Sequence, residues 1–136
     1  MHAEFFFDTN ILLYAASSNK SEQHKRAKAR ELLTMEGGGL SVQVQAEFYV
    51  NATAKFKIPH DQVVGILESL EAYPVLAVTE SVFWAALQIK NRYKLSYWDS
   101  AIIAAAVELG CQAVYSEDLN HGQSYAGVRV INPFME

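Results

Sequence analysis

The sequence predicts an α/β fold, with a mainly parallel central sheet flanked by helices, in one domain spanning residues 1–136. Three observations lead there. Short apolar runs of strand length alternate with longer segments of helical periodicity, the pattern of strands joined by crossover helices. The 136 residues fit one ordinary domain and leave little room for a second. An apolar fraction of 51% with 19% charged residues supports a packed core and excludes a charge-rich, disordered chain.

The elements follow in order. Residues 4–7 form an aromatic run that reads as a buried strand ended by Asp8, and residues 10–16 read as a short helix. After a polar loop at 17–21, a charged helix is expected over 22–35, stopped by Gly37, Gly38 and Gly39. A short strand is expected at 40–42, and the helix over 44–56 carries Glu47 in its first turns. Pro59 can open the next helix, whose Val63, Ile66, Leu67 and Leu70 fall at i, i+3, i+4 and i+7. Residues 75–78 make a third strand, and Thr79 caps a helix reaching about Tyr93. Residues 97–109 are apolar nearly all round, which predicts a buried central helix ended at Gly110. A strand at 113–116, a polar loop over 117–127 and a last strand at 128–131 complete the chain.

Composition bounds the function. The formal charge of −4 provides no global positive field, so any nucleic-acid contact needs local basic patches or cations. Cys111 is the only cysteine and sits in an Ala/Val-rich stretch, as a buried thiol in a reducing compartment would. Glu4 and Asp8 interrupt the first apolar run, and the longest run, 101–107, is far too short to span a bilayer. A soluble, cytoplasmic protein without membrane association is expected.

Four acids stand out, each with an ordinary structural account. Asp8 can cap the helix after it, although Thr9 and Asn10 could do so equally well. Glu47 can serve as a dipole-favourable acid in an early helical turn. Asp99 completes a capping-box-like Ser96-Tyr97-Trp98-Asp99 pattern ahead of a nearly uncharged helix, and Asp118 lies in a turn-rich loop. Taken together they fall where an α/β topology gathers strand ends and helix N-termini, beyond the carboxyl ends of the strands. Carboxylates gathered there would not all stay ionised without a cation. Oxygen-only ligation suits Mg²⁺ or Mn²⁺, which points to phosphodiester hydrolysis.

At these residues the sequence resembles the PIN-domain nucleases, in particular the compact VapC-type toxin ribonucleases of toxin–antitoxin pairs. The resemblance rests on DTNILLYA, LSVQVQAEFY, LSYWDSAIIAAA and VYSEDLNHGQ ending in VRVINPF, in that order along essentially the whole chain. It implies an Mg²⁺- or Mn²⁺-dependent endoribonuclease whose metal-binding and catalytic acids are Asp8, Glu47, Asp99 and Asp118. Asn10 and Ser116 would hold carboxylates in place, with Thr9 and Asn120 assisting. Glu117 adjoins Asp118 and competes for its role; Asp118 is preferred because it sits two residues after the strand-end hydroxyl. The resemblance further implies an RNA substrate, a homodimer, and an antitoxin that blocks the site with a basic side chain.

Other features are less specific. Lys25, Arg26, Lys28 and Arg30 form either a solvated helix face or an RNA-guiding surface. Tyr97 and Trp98 could stack a base or fill core. The four histidines show no zinc spacing. Among alternatives, a haloacid-dehalogenase-like phosphatase would need an acid where Asn10 stands. A housekeeping RNA-processing nuclease fits the same residues, and a non-enzymatic α/β interaction module would use the acids only as caps.

Overall fold

The computed structural model describes residues 1–135. Six strands form one sheet in the order β3-β2-β1-β4-β6-β5. These are β1 (Phe5–Phe7), β2 (Gly38–Ser41), β3 (Val75–Leu76), β4 (Ala113–Tyr115), β5 (Ser124–Tyr125) and β6 (Val128–Ile131). Every pairing is parallel except the β5–β6 hairpin. The helices are α1 (Thr9–Ala16), α2 (Gln23–Leu32), α3 (Val42–Ala54), α4 (His60–Ser69), α5 (Glu80–Tyr93) and α6 (Tyr97–Glu108). The α/β class with a mainly parallel sheet is as the sequence predicts.

Contacts join α1 to α2 and α3, α3 to α4, and α5 to α6, while α6 also lies on β2, β4 and β6. This grouping suits right-handed crossovers: the chain steps outward from β1 through β2 to β3, then returns past β1 to β4. Helix α6 is the central helix its composition predicts, with every residue from Ser100 to Ala106 buried. The chain leaves it through Gly110, whose φ of +76° is the left-handed turn that glycine adopts without a Cβ penalty. Phe6 and Phe7 are both fully buried, so β1 is covered on both faces. Cys111 is buried as expected, and burial pushes its thiol up to about 12.

Two expectations are corrected. Gly38 and Gly39 do not stop a helix; they lie inside β2, and the chain turns earlier, after Leu32. They are glycines because of close approach. A Cβ on Gly38 would run into the Phe7 ring and stand 2.8 Å from Tyr73, and one on Gly39 would stand 2.7 Å from the Ala3 Cβ. The region expected as loop over 117–127 contains β5, a two-residue strand too short to show a period of two. The remaining boundaries move by up to three residues, and Thr79 caps α5 as predicted. Among the described residues, no helix is long and apolar enough to cross a membrane.

Candidate active site

The order of strands decides where a site can form. The chain reverses its direction of travel between β1 and β4, and this switch opens a crevice beyond their carboxyl ends. Asp8 directly follows β1 and Ser116 directly follows β4. The Asp8 N–H donates to the Tyr115 carbonyl at 3.0 Å, so the ladder continues one residue past β1 and sets Asp8 beside Ser116.

A dense hydrogen-bond network spans this seam. The Ser116 hydroxyl donates to Asp8 Oδ2 at 2.7 Å, and the Thr9 N–H donates to Asp8 Oδ1 at 2.7 Å. Asn10 Nδ2 bridges Asp118 Oδ2 at 3.2 Å, Asp8 Oδ2 at 3.4 Å and Ser116 Oγ at 3.4 Å. Its Oδ1 accepts from the Glu117 N–H at 3.3 Å, while the Asp118 N–H donates to Ser116 Oγ at 3.1 Å. Asn10 and Ser116 therefore join both loops and both acids by hydrogen bonds.

The other two acids come from helices. Glu47, in the second turn of α3, accepts from Gln43 Nε2 at 3.0 Å and from the Thr9 hydroxyl at 3.4 Å, both on Oε1. Asp99 lies half-buried in the first turn of α6. Thr9 thus connects the seam to α3.

Charge ties the four together. Burial pushes the Asp8 carboxyl up to about 7; the bonds from Ser116 and Thr9 pull it back, and the charges of Asp118 and Glu47 push it further up. Asp99 is also raised, first by burial and then by Asp118, against a lowering contact with Ser96. Asp8 feels two of the other acids, and Asp99 feels Asp118, so all four belong to one electrostatic unit.

Capping does not explain this set. Helix α3 is capped by Ser41, whose Oγ accepts from the Val44 N–H, and α6 by Ser96, whose Oγ accepts from the Asp99 N–H. The turn at Asp118 is made by Ser116. Serines do the structural work at three of the four places, and only one oxygen of Asp8 acts as a cap. Acids whose capping and turn positions are mostly filled by serines, and whose charges repel one another, suit a cationic ligand.

Glu117 lies apart from the acids. It is locked by the Tyr14 hydroxyl on Oε1 and the Lys25 ammonium on Oε2. Burial alone would raise its carboxyl, but these partners outweigh burial and hold it below its ordinary value. Lys25 also lies over the Tyr14 and Phe134 rings. The basic cluster on α2 is largely committed elsewhere too: Arg26 donates to the Ser17 carbonyl at 3.1 Å and Arg30 to the Ala15 carbonyl at 2.9 Å, tying α2 to the end of α1. Asn120 donates to Gln123 at 3.2 Å and joins none of the four acids by a hydrogen bond. His121 accepts from the Asn132 N–H at 3.0 Å, a loop contact. Gln43 was not anticipated, though its place four residues before Glu47 puts the two on one helical face. The Lys25–Tyr14–Glu117 lock carries no local sequence signal, because its members lie far apart in the chain.

The donor set suits a hard divalent cation. Among the described residues, no three acidic, histidine or cysteine side chains converge tightly enough to cage a metal alone. Mg²⁺ and its relatives do not need such a cage: they keep several waters and use one or two carboxylates with substrate phosphate. A buried carboxylate pushed up to about 7, repelled by Asp118 and Glu47 and backed by hydroxyl and amide donors, fits that open mode of binding.

A PIN domain family model matches residues 5–124, a span that includes all four acids. No curated protein sequence matches the chain. Among solved structures, it is similar to a toxin–antitoxin complex from Klebsiella pneumoniae (20% identity, TM-score 0.72, covering 96% of this chain and 98% of that one). It is similar also to VapC20 of Mycobacterium tuberculosis, a sarcin–ricin-loop-cleaving toxin (18% identity, TM-score 0.70, covering 93% and 99%). A third is FitAcB from Neisseria gonorrhoeae (19% identity, TM-score 0.66, covering 95% and 97%). At these identities the likeness is one of fold.

Proposed function

Because the chain belongs to the PIN domain family, whose nucleases generally use divalent metal ions, we propose that it is a metal-dependent endoribonuclease and the toxin of a toxin–antitoxin pair. The observation that carries this reading is the seam between β1 and β4. There Asp8 is buried, pushed up to about 7, and bonded through Ser116 and Asn10 to the loop bearing Asp118. The toxin assignment takes its support from the toxin complexes that share the fold.

Asp8, Glu47, Asp99 and Asp118 would hold Mg²⁺ or Mn²⁺. When bound, the ion supplies charge that stabilises the phosphoryl group under attack and makes water a better nucleophile. The protein's own part is positioning. Asn10 holds Asp118 and Asp8 at a fixed separation, and the Ser116 hydroxyl fixes the face that Asp8 presents. Thr9 and Gln43 both occupy Glu47 Oε1, which leaves Oε2 to take a proton from the attacking water. Helix α6 aims its N-terminal dipole at the same place, which favours an incoming phosphate. A cognate antitoxin, a homodimeric assembly and a cytoplasmic location complete the proposal.

Purified protein incubated with total RNA and Mn²⁺ should produce discrete cleavage ends that chelation prevents. The Asp8→Asn variant should stay folded and leave the RNA intact. RNA of every class surviving Mn²⁺ would end the nuclease reading. Expression should arrest growth, and the product of a small adjacent gene should relieve it; an unaffected host would instead favour housekeeping RNA processing.

A further inference from the structure

Trp98 has no part in the chemistry above, yet it stands beside it. It occupies the second position of α6, next to Asp99, and 62% of its surface is exposed. Its placement is nevertheless well defined. Tyr97 packs against the indole edge-on, with centroids 5.0 Å apart and planes at 79°. Gln43 Nε2 donates to the Trp98 carbonyl at 3.4 Å and to Glu47 at 3.0 Å, so the backbone under the indole is tied to one of the acids.

The indole closes one side of an open groove of about 430 Å³ that is also lined by Val42, Ala46, Val50, Val78 and Tyr97. Glu47 lies on its wall, so acid site and groove are continuous. Two amides give the groove polar edges. Asn51 Nδ2 is occupied by the Glu47 carbonyl at 2.8 Å and Gln43 Nε2 by Glu47 and Trp98, which leaves the amide oxygen of each without a partner among the described residues. An apolar slot with an exposed indole and free acceptors at its rim suits the flat face and N–H edge of a nucleobase.

We propose that Trp98 is the stacking platform for a base adjacent to the scissile phosphate of single-stranded RNA. The inference rests on the nuclease reading for its substrate. A phosphate held beside the acids by their cation has a nucleoside attached on either side, and the groove is the apolar surface that Glu47 borders. Stacking accepts any base, so Trp98 would set affinity and the single-stranded state of the substrate more than its sequence.

The test uses Trp84→Phe, which leaves Trp98 as the sole indole, in the Asp8→Asn background with Mn²⁺ so that RNA stays intact. A short oligoadenylate should quench the indole emission to saturation, and its abasic counterpart should not. Trp98→Ala should weaken oligoadenylate binding about 10-fold, within the range that base stacking on aromatics gives, while Trp98→Phe retains most of it. Binding of the abasic strand should be indifferent to Trp98→Ala, since the contact is already gone. Equal losses with both strands would overturn the platform, as would absent quenching in a protein whose wild type cleaves RNA. If Trp98→Ala breaks self-association and leaves RNA affinity unchanged, the groove belongs to a second copy and the proposal fails. Quenching without any wild-type cleavage would keep the platform and remove the nuclease, whereas neither quenching nor cleavage would remove both.

Discussion

The two sides of the acid cluster are built differently. On the strand side, Asp8, Asn10, Ser116 and Asp118 are cross-linked by five hydrogen bonds of 3.4 Å or shorter at the seam of two parallel strands. On the helix side, Glu47 and Asp99 project from helices that serines cap, and Glu47 borders an open apolar groove. The strand side stores unfavourable charge in a fixed geometry. The helix side leaves room for a substrate. On the proposed function, the rigid half would fix the acids that hold the cation and the open half would admit the RNA.

The largest effect should follow from breaking the strand side at its buried acid. Asp8→Asn should reduce cleavage by more than the 10–100-fold typical of losing an outer partner of a metal ligand, measured on a defined RNA with Mn²⁺. The corresponding change on the helix side, Glu47→Gln, keeps the Oε1 contacts and should reduce kcat more than KM. Equal, small losses in both variants would remove the distinction between the two halves.

The same charge makes a prediction about pH. Asp8 titrates at about 7 in the fold and near 3.8 unfolded, so between those values the native state holds a proton that the unfolded chain has released. Stability of the metal-free protein should therefore fall as pH rises through that window, by at most about 4 kcal/mol from this one group. In chelator, the difference in melting temperature between Asp8→Asn and wild type should grow from pH 4 to pH 8 in favour of the variant, and Mn²⁺ should close it. A difference that stays constant with pH would show that Asp8 carries no such strain.

Next in size is Ser116→Ala, which removes the 2.7 Å bond to Asp8 and the turn bond from the Asp118 N–H together. It should weaken activity about 10–100-fold, with excess Mn²⁺ recovering part of the loss. Gln43→Ala, its counterpart on the helix side, removes one contact to Glu47 and should have a smaller effect. If the two are equal, the strand side is no more rigid than the helix side.

The contrast between the halves also explains what the sequence makes legible. Helix α6 declares itself through composition, because seven successive buried residues leave little room for polar ones. The seam acids follow short apolar runs, and parallel topology alone places such positions at one edge. Tertiary facts do not show in this way. Gly38 and Gly39 look like a helix stop until the Phe7 ring and Ala3 are seen against them. Asn120 resembles Asn10 in type and in nearness to an acid, yet its amide turns to Gln123. The capping pattern at Ser96 is visible in the sequence, but the cap at Ser41, and the freeing of Glu47 and Asp99 from capping, show only in the structure.

The smallest predicted effect is the sharpest comparison, because it sets two adjacent carboxylates against each other. Asp118 is exposed and held only by Asn10 through its side chain, so it is available to a cation. Glu117 already has a cation, the Lys25 ammonium, and a phenol on its other oxygen. That pair is partly exposed, with 37% and 27% of the side-chain surfaces accessible, so screening limits it to about 1 kcal/mol or less. Glu117→Gln should therefore lower stability slightly and leave cleavage within about fivefold of wild type, whereas Asp118→Asn should lose activity at unchanged stability. Lys25→Met separates the lock from the acid: it frees Glu117 beside Asp118, and Mn²⁺ should then bind more tightly to Lys25→Met than to the double variant with Glu117→Gln. Identical Mn²⁺ titrations of the two would mean that Glu117 cannot reach the site even when released, and that the lock serves only to fasten α2 to the β4 loop.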